Sequence, residues 1–139
     1  MNFHNYTQKS LEAIQSAQTL ARSCNHQQME QVHLLLALLQ QDGGLTPQLL
    51  RKMGVTVESL NAAATQELKK IPGVTGSREA DKFYITADVD ATFTAAEAQA
   101  KAMKDEFVSV EHLFLGLLDA AQGKIAELFT PITSARRTA

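Results

Sequence analysis

An eight-residue apolar segment occurs twice in this chain. Residues 32–39 read VHLLLALL and residues 111–118 read EHLFLGLL, which is an offset of 79 residues. Each segment is apolar on nearly every side, and a helix with that pattern is stable in water only when other elements surround it. A chain of 139 residues with two such helices therefore has to build its core around both of them.

The similarity extends beyond these two segments. When residues 14–39 are placed on residues 93–118 without a gap, seven of the 26 positions are identical. The identities fall on the faces that helical periodicity predicts to be buried, whereas the polar faces differ. This pattern indicates a duplicated helical unit and predicts two pseudo-twofold-related repeats that cover each other's leucine-rich helices. The identical pairs are Ala17/Ala96, Ala21/Ala100, His33/His112, Leu34/Leu113, Leu36/Leu115, Leu38/Leu117 and Leu39/Leu118.

Residues typical of helix starts divide the rest of the sequence. Thr7 and Thr86 each precede a long amphipathic segment, at the position of a helix N-cap. Thr46 precedes a proline in a similar way, which predicts another helix start. These patterns predict an all-α fold with about seven or eight helices in a single domain. The predicted boundaries are a first repeat over 6–70, a linker over 71–85, a second repeat over 86–130 and a polar tail over 131–139.

Charge and composition exclude several classes of function. The formal net charge is −2, and nucleic-acid-binding domains are usually basic, so we expect no nucleic-acid partner. Cys24 is the only cysteine, so an intrachain disulfide cannot form. The first residues lack the apolar stretch of a signal peptide, and the longest apolar run, 34–39, is too short to cross a bilayer. We therefore expect a cytoplasmic protein without a membrane partner.

No pattern in the sequence is typical of a catalytic or metal site. An ATP-binding P-loop has four residues between its glycines and then Lys and Ser or Thr. The most similar stretch has six residues between Gly116 and Gly123, and isoleucine follows its lysine. His33 and His112 have no second ligand at a useful spacing, so we interpret both as helix-start histidines that bond to their neighbours. We expect no enzyme activity, no metal and no cofactor.

Several of these features together resemble one protein family. The E-H-L-x-L-x-L-L phrase at 111–118, its duplication at this spacing and the opening YTQKSLEAI at 6–14 are similar to the Clp N-terminal double repeat. Ile71-Pro72-x-Val74-x-Gly76 is similar to the linker of the ClpB-type protein disaggregases within that family. The resemblance covers about residues 3–130.

This resemblance implies a non-catalytic docking module at the start of an AAA+ unfoldase. Such a module recruits unfolded or aggregated polypeptide, or an adaptor protein, and passes it to the ATPase ring. The resemblance also implies a monomeric isolated domain, a hexameric parent and ATP only in the parent's ATPase domains. Two alternatives remain open: an adaptor-docking domain of the ClpC/ClpA kind, and a stand-alone regulatory protein that binds a partner complex.

The family's polar positions select the candidate site residues. Thr7, Thr86, Asp105 and Glu111 match positions near the proposed substrate surface of ClpB-type domains. In the ClpC branch both copies carry glutamate before the histidine, whereas Val32 replaces the first glutamate here, which favours a single apolar groove.

Each candidate also has a structural alternative. Helix capping explains the two threonines, and a carboxylate in the first turn of a helix explains Glu111. Two interpretations of Phe93 remain open. Its side chain could belong to the core, or it could line the groove, where an exposed ring would contact an unfolded polypeptide.

Overall fold

The computed structural model describes residues 3–41, 43–73, 84–130 and 132. Most of the predicted linker, over 74–83, and the predicted tail apart from Ile132 lie outside these residues. The described residues form seven helices and two short strands, which confirms the all-α prediction. In chain order they are α1 (Gln8–Ser23), β1 (Gln28–Met29), α2 (Gln31–Gln40), α3 (Leu45–Lys52), α4 (Val57–Lys69), β2 (Tyr84–Ile85), α5 (Ala87–Ala102), α6 (Val110–Ala120) and α7 (Gly123–Leu128).

The leucine-rich helix α2 lies at the centre of the fold. All nine of its residues from Gln31 to Leu39 are buried, and α1, α4 and α6 are among the elements packed around it. Helix α6 is also buried on most of its surface and packs chiefly on α5. The repeat pattern predicts burial at Ala17, Ala21, Ala96 and Ala100, and all four are buried. The small or apolar residues of α1 and α5 that are fully or almost fully buried are Ala13, Ala17, Ala21, Val89, Phe93, Ala96 and Ala100.

The two repeats exchange equivalent backbone contacts. The Thr7 N–H donates to the Val108 carbonyl at 2.9 Å, and the Thr86 N–H donates to the Met29 carbonyl at 3.1 Å. Thr86 and Val108 lie 79 residues after Thr7 and Met29, so each bond is the counterpart of the other. The residues just before the threonines also pair in parallel across the repeats, Tyr6 with Val108 and Ile85 with Met29. This reciprocal pairing confirms the predicted pseudo-twofold relation.

One predicted helix start is wrong. Helix α3 begins at Leu45 with Gly44 at its N-cap, so Thr46 lies inside the first turn and its side chain is fully buried. The chain turns through Gly43, whose φ of +66° is in the region that favours glycine, and the Gly44 N–H donates to the Gln41 carbonyl. This glycine turn starts the helix two residues earlier than the Thr-Pro pattern predicts.

Gly116 allows α6 to lie directly against α5. A Cβ atom at this position would lie 2.6 Å from the Ala96 nitrogen and 2.7 Å from the Thr92 carbonyl oxygen, and backbone atoms cannot rotate away. The counterpart in the first repeat is Ala37, where α1 and α2 leave room for a methyl group. The second repeat is therefore more tightly packed along this pair of helices.

We predict that Gly116→Ala destabilises the protein, although alanine is the better helix former. The added methyl group has to push α5 away, and overpacking of this kind costs about 1–3 kcal/mol. Urea unfolding followed by circular dichroism measures the change in unfolding free energy. Helix propensity alone would instead make Gly116→Ala stabilising by up to about 1 kcal/mol, a result that would contradict the close contact.

A second prediction compares two buried threonines. The Thr46 hydroxyl has no hydrogen-bond partner among the described residues, whereas the Thr92 hydroxyl donates to the Asp88 carbonyl at 2.9 Å and accepts from Gln31. Thr46→Val should therefore change the unfolding free energy by less than about 0.5 kcal/mol or raise it, while Thr92→Val should lower it by about 1–2 kcal/mol. Equal losses in the two variants, measured by thermal and urea unfolding, would contradict this assignment.

Candidate functional site

Thr7 and Thr86 cap the first helix of each repeat, as predicted. The Thr7 hydroxyl accepts a hydrogen bond from the Ser10 N–H, and the Thr86 hydroxyl accepts one from the Val89 N–H, both at 3.2 Å. Each side chain is partly buried, so its hydroxyl also borders open space. Helix capping explains both threonines locally, and their surroundings decide what else they contact.

The two threonines line two different pockets. The first, here called the Thr7 pocket, has a volume of about 210 Å³, and the second, the Thr86 pocket, has about 260 Å³. Thr7, Lys9, Gln41, Gly43, Gly44, Leu45, Ser109 and Val110 line the Thr7 pocket. Glu30, Gln31, Val32, Glu67, Lys70, Ile71, Thr86, Asp88, Gln122, Lys124 and Ile125 line the Thr86 pocket.

These pockets are counterparts under the pseudo-twofold relation. Six of the eight residues that line the Thr7 pocket have an equivalent residue, 79 positions later or earlier in the chain, that lines the Thr86 pocket. The pockets share no lining residue. The expectation that both threonines border one groove is therefore corrected, because the operation that relates the repeats places each threonine at its own pocket.

The chemistry of the two pockets differs. Leu45 and Val110 form an apolar wall in the Thr7 pocket, and Leu45 is 39% exposed. Their counterparts in the Thr86 pocket are Lys124 and Gln31, which are polar. Further charged groups surround the Thr86 pocket: Glu30, Glu67, Lys70 and Asp88. Of these two pockets, the Thr7 pocket therefore has more of the apolar character that the sequence predicts for the groove.

Gln31 closes the inner wall of the Thr86 pocket by joining the two repeats. Its side-chain amide donates to the carbonyl of Ala120 at 2.9 Å and, at 3.2 Å, to the Asp88 carbonyl and the Thr92 hydroxyl. Its amide oxygen accepts from the Gln122 N–H at 3.1 Å. The side chain is almost fully buried, so these bonds replace the water that it loses. The sequence patterns did not predict this role for Gln31.

Phe93 belongs to the core. Its side chain is 1% exposed, and its ring packs edge-on against Phe3 with a centroid distance of 5.4 Å. Of the two alternatives for this residue, the structure supports the core, since the ring has almost no surface left for a guest to contact.

Asp105 contacts His112 and thereby supports the start of α6. The His112 Nε2 lies 2.8 Å from the Asp105 carboxylate, and the His112 Nδ1 accepts from the Ser109 N–H at 2.9 Å. The Asp105 side chain is 50% exposed, so it also remains accessible from solvent. Glu111 is partly buried in the first turn of α6, next to Ser109 and Val110 of the Thr7 pocket. Thr7 and Glu111 are therefore near the same pocket.

A second histidine replaces the aspartate in the first repeat. His26 is the counterpart of Asp105, and its Nδ1 lies 2.7 Å from the Nε2 of His33. Burial and, to a smaller extent, the proximity of His26 lower the pKa of His33 to about 4. A backbone hydrogen bond at Glu30 acts in the opposite direction but is outweighed. The 79-residue offset places His26 opposite Asp105, so this pair is in principle visible in the sequence.

Neither a cluster of metal ligands nor a membrane-spanning helix occurs among the described residues. There, no group of three or more His, Cys, Asp or Glu side chains is arranged to hold a metal ion. None of the helices in that part of the chain is long and apolar enough to span a bilayer.

The chain belongs to the Clp N-terminal repeat family. The family model of the Clp repeat (R) N-terminal domain matches residues 5–132, which confirms the resemblance seen in the sequence. Chaperone protein ClpB of Bacillus cereus is 41% identical over 131 residues, which are 94% of this chain and 15% of that protein. ClpB of Nitratidesulfovibrio vulgaris is 36% identical over 135 residues, which are 94% of this chain and 16% of that protein. The chain thus spans about 15% of the length of these curated relatives.

Solved structures have the same fold. The crystal structure of the Hsp104 N-terminal domain from Candida albicans has a TM-score of 0.77 at 20% identity, covering 96% of this chain and 83% of that one. A complex of the ClpV N-domain with a VipB peptide has a TM-score of 0.69 at 16% identity, covering 91% and 78%. At these identities the similarity establishes the fold alone.

We predict that Gln31→Leu weakens the junction of the repeats. The variant keeps a side chain of similar size but leaves the Ala120 carbonyl and the Gln122 N–H without this partner, which should cost about 2–3 kcal/mol of unfolding free energy. Gln40→Leu is the matched control, because Gln40 is exposed on the same helix, and it should change stability by less than about 0.5 kcal/mol. Similar losses in both variants, measured by urea unfolding, would rule out the bridging role.

Proposed function

We propose that this chain is the substrate-binding N-terminal domain of a ClpB-type disaggregase, and that the Thr7 pocket receives an apolar side chain of an extended polypeptide. One observation carries the proposal: of two repeat-related pockets, one retains an apolar wall of Leu45 and Val110, and Leu45 is 39% exposed. The identity to the ClpB relatives supports the protein class, and the complex of a ClpV N-domain with a peptide supports peptide binding by this fold.

The size of the pocket favours weak and unspecific capture. A volume of about 210 Å³ is smaller than a typical small-molecule site, and it suits one side chain rather than a whole ligand. Burying one leucine-sized side chain contributes about 1.5–3 kcal/mol, and the loss of translational freedom offsets much of it. Such a domain would release its client readily to the parent's ATPase ring.

Adaptor docking is a second candidate function, and the Thr86 pocket favours it. Glu30, Asp88 and Lys124 line this pocket, and charged surfaces of this kind suit a folded partner with complementary charges. The parent's hexameric state, its ATPase activity and a cytoplasmic location belong to the same proposal, since they follow from the ClpB class.

The test is an NMR titration of the isotope-labelled 139-residue chain with reduced, carboxymethylated α-lactalbumin, which remains unfolded. We expect the largest amide shifts at Thr7, Leu45 and Val110. Leu45→Lys gives the Thr7 pocket the lysine of its counterpart and should weaken binding five- to ten-fold, or about 1–1.4 kcal/mol.

Lys124→Ala is the matched control, because Lys124 occupies the position of Leu45 in the other pocket. It should leave binding of the unfolded protein unchanged. Shifts confined to the Thr86 pocket would move the site there and favour the adaptor function. Normal binding by Leu45→Lys would remove the Thr7 pocket from the proposal.

A further inference from the structure

Three hydrogen bonds connect two histidines to the wall of the Thr86 pocket. The Glu30 N–H donates to the His33 Nδ1 at 2.8 Å. The proton of neutral His33 must then lie on its Nε2, which is 2.7 Å from the His26 Nδ1. His26 accepts there, so its own proton lies on Nε2 and donates to the Ile71 carbonyl at 3.2 Å. A single choice of tautomers therefore satisfies all three bonds.

Both ends of this series lie at the Thr86 pocket. Glu30 and Ile71 line it, while the two rings between them are 3% and 0% exposed. Beyond Ile71, the chain passes close to the end of α1, since a Cβ atom on Gly73 would lie 3.1 Å from the Cys24 carbonyl oxygen. The histidines thus hold the first residues of the connection between the repeats against the first repeat.

An added proton cannot be accommodated without losing one of these bonds. Protonated His26 would present an N–H to the N–H of His33, and protonated His33 would present an N–H to that of Glu30. A change of tautomer moves the conflict to the neighbouring bond but does not remove it. In the second repeat the acceptor is the Asp105 carboxylate, so a proton on His112 strengthens the equivalent bond.

Among the described residues, charged groups lie around the pair on several elements. From α2, the Glu30 carboxylate accepts from the backbone N–H of His33. From α4, Glu67 and Lys70 form an ion pair at 2.8 Å. Asp88 of α5 and Lys124 of α7 line the same pocket. Cys24 lies at the end of α1, next to Gly73.

We propose that the His26–His33 pair is an acid-sensitive latch that holds Ile71 at the wall of the Thr86 pocket. Proton uptake by the pair breaks the His26–His33 bond or the Glu30–His33 bond, because two N–H groups then face each other. The ring of His26 then loses its connection to α2, and residues 71–73, which are bonded to it through the Ile71 carbonyl, become looser. The pocket then changes shape while the Asp105–His112 contact of the second repeat persists.

The direction of the pH dependence follows from the lowered pKa of His33. An exposed histidine has a pKa near 6.5, whereas His33 in the closed state has a pKa of about 4. The closed state is therefore fully favoured above pH 6.5 and loses stability as the pH falls from 6.5 towards 4, because the open state binds the proton more readily. Below about pH 4 both states are protonated and the dependence levels off.

NMR on the full 139-residue chain tests the latch. Between pH 7.5 and 4.5 we expect the hydrogen-exchange protection of the Ile71 amide to fall at least ten-fold after correction for intrinsic exchange. Protection of the Asp105 amide, at the contact that takes the place of the histidine pair in the second repeat, should change by less than two-fold. Unchanged protection at Ile71 down to pH 4.5 in a folded chain would overturn the proposal.

Two variants sharpen this test. His26→Asp copies the arrangement of the second repeat, and His26→Asn supplies an oxygen acceptor that does not titrate. Both should reduce the pH dependence of Ile71 exchange to less than two-fold, and a wild-type dependence in either would contradict the latch. Nitrogen chemical shifts of the wild-type imidazoles give a readout that needs no variant: protons on Nε2 of both rings at pH 7.5 are expected, and any other pair of tautomers would refute the series.

Discussion

The fold depends on the burial of two helices that have almost no polar face. Helix α2 would be unstable in water alone, and α6 has the same requirement, so each repeat needs cover that it cannot supply by itself. The reciprocal bonds at Thr7 and Thr86 hold the repeats in the arrangement that supplies this cover. Each bond joins the threonine before the first helix of one repeat to the segment that precedes the leucine-rich helix of the other repeat. The same crossing places one pocket at each threonine.

The two pockets have equivalent backbone positions but different side chains. Leu45 and Val110 make one pocket apolar, whereas Lys124 and the bridging Gln31 make its counterpart polar and tie the repeats together. A duplicated unit thus carries two pockets of different polarity without a change of fold. The pseudo-twofold relation also makes each pocket a control for the other, because six lining positions are equivalent in the two pockets.

Part of the site could be predicted from sequence because it depends on local interactions. Helix capping needs only a threonine and the backbone of the next turn, so Thr7 and Thr86 were assigned correctly. The family resemblance implies Asp105 as an acidic position but not its bond to His112, because the two residues are seven apart and the chain between them is partly irregular. The role of Phe93 could not be decided, since an apolar residue in a helix suits a core and a groove equally well.

The amino-acid sequence by itself determined the helical class, the duplication and the family, because periodicity, spacing and capping are properties of neighbouring residues. Only the tertiary structure decided that the threonines open two pockets, that Gln31 joins the repeats and that His26 bonds to His33. Those facts depend on which side chains meet when distant segments pack, and the path of the backbone between them sets those distances. The leucine-rich phrases required a shared core, and the packing around that core selected the surfaces that remain available for a partner.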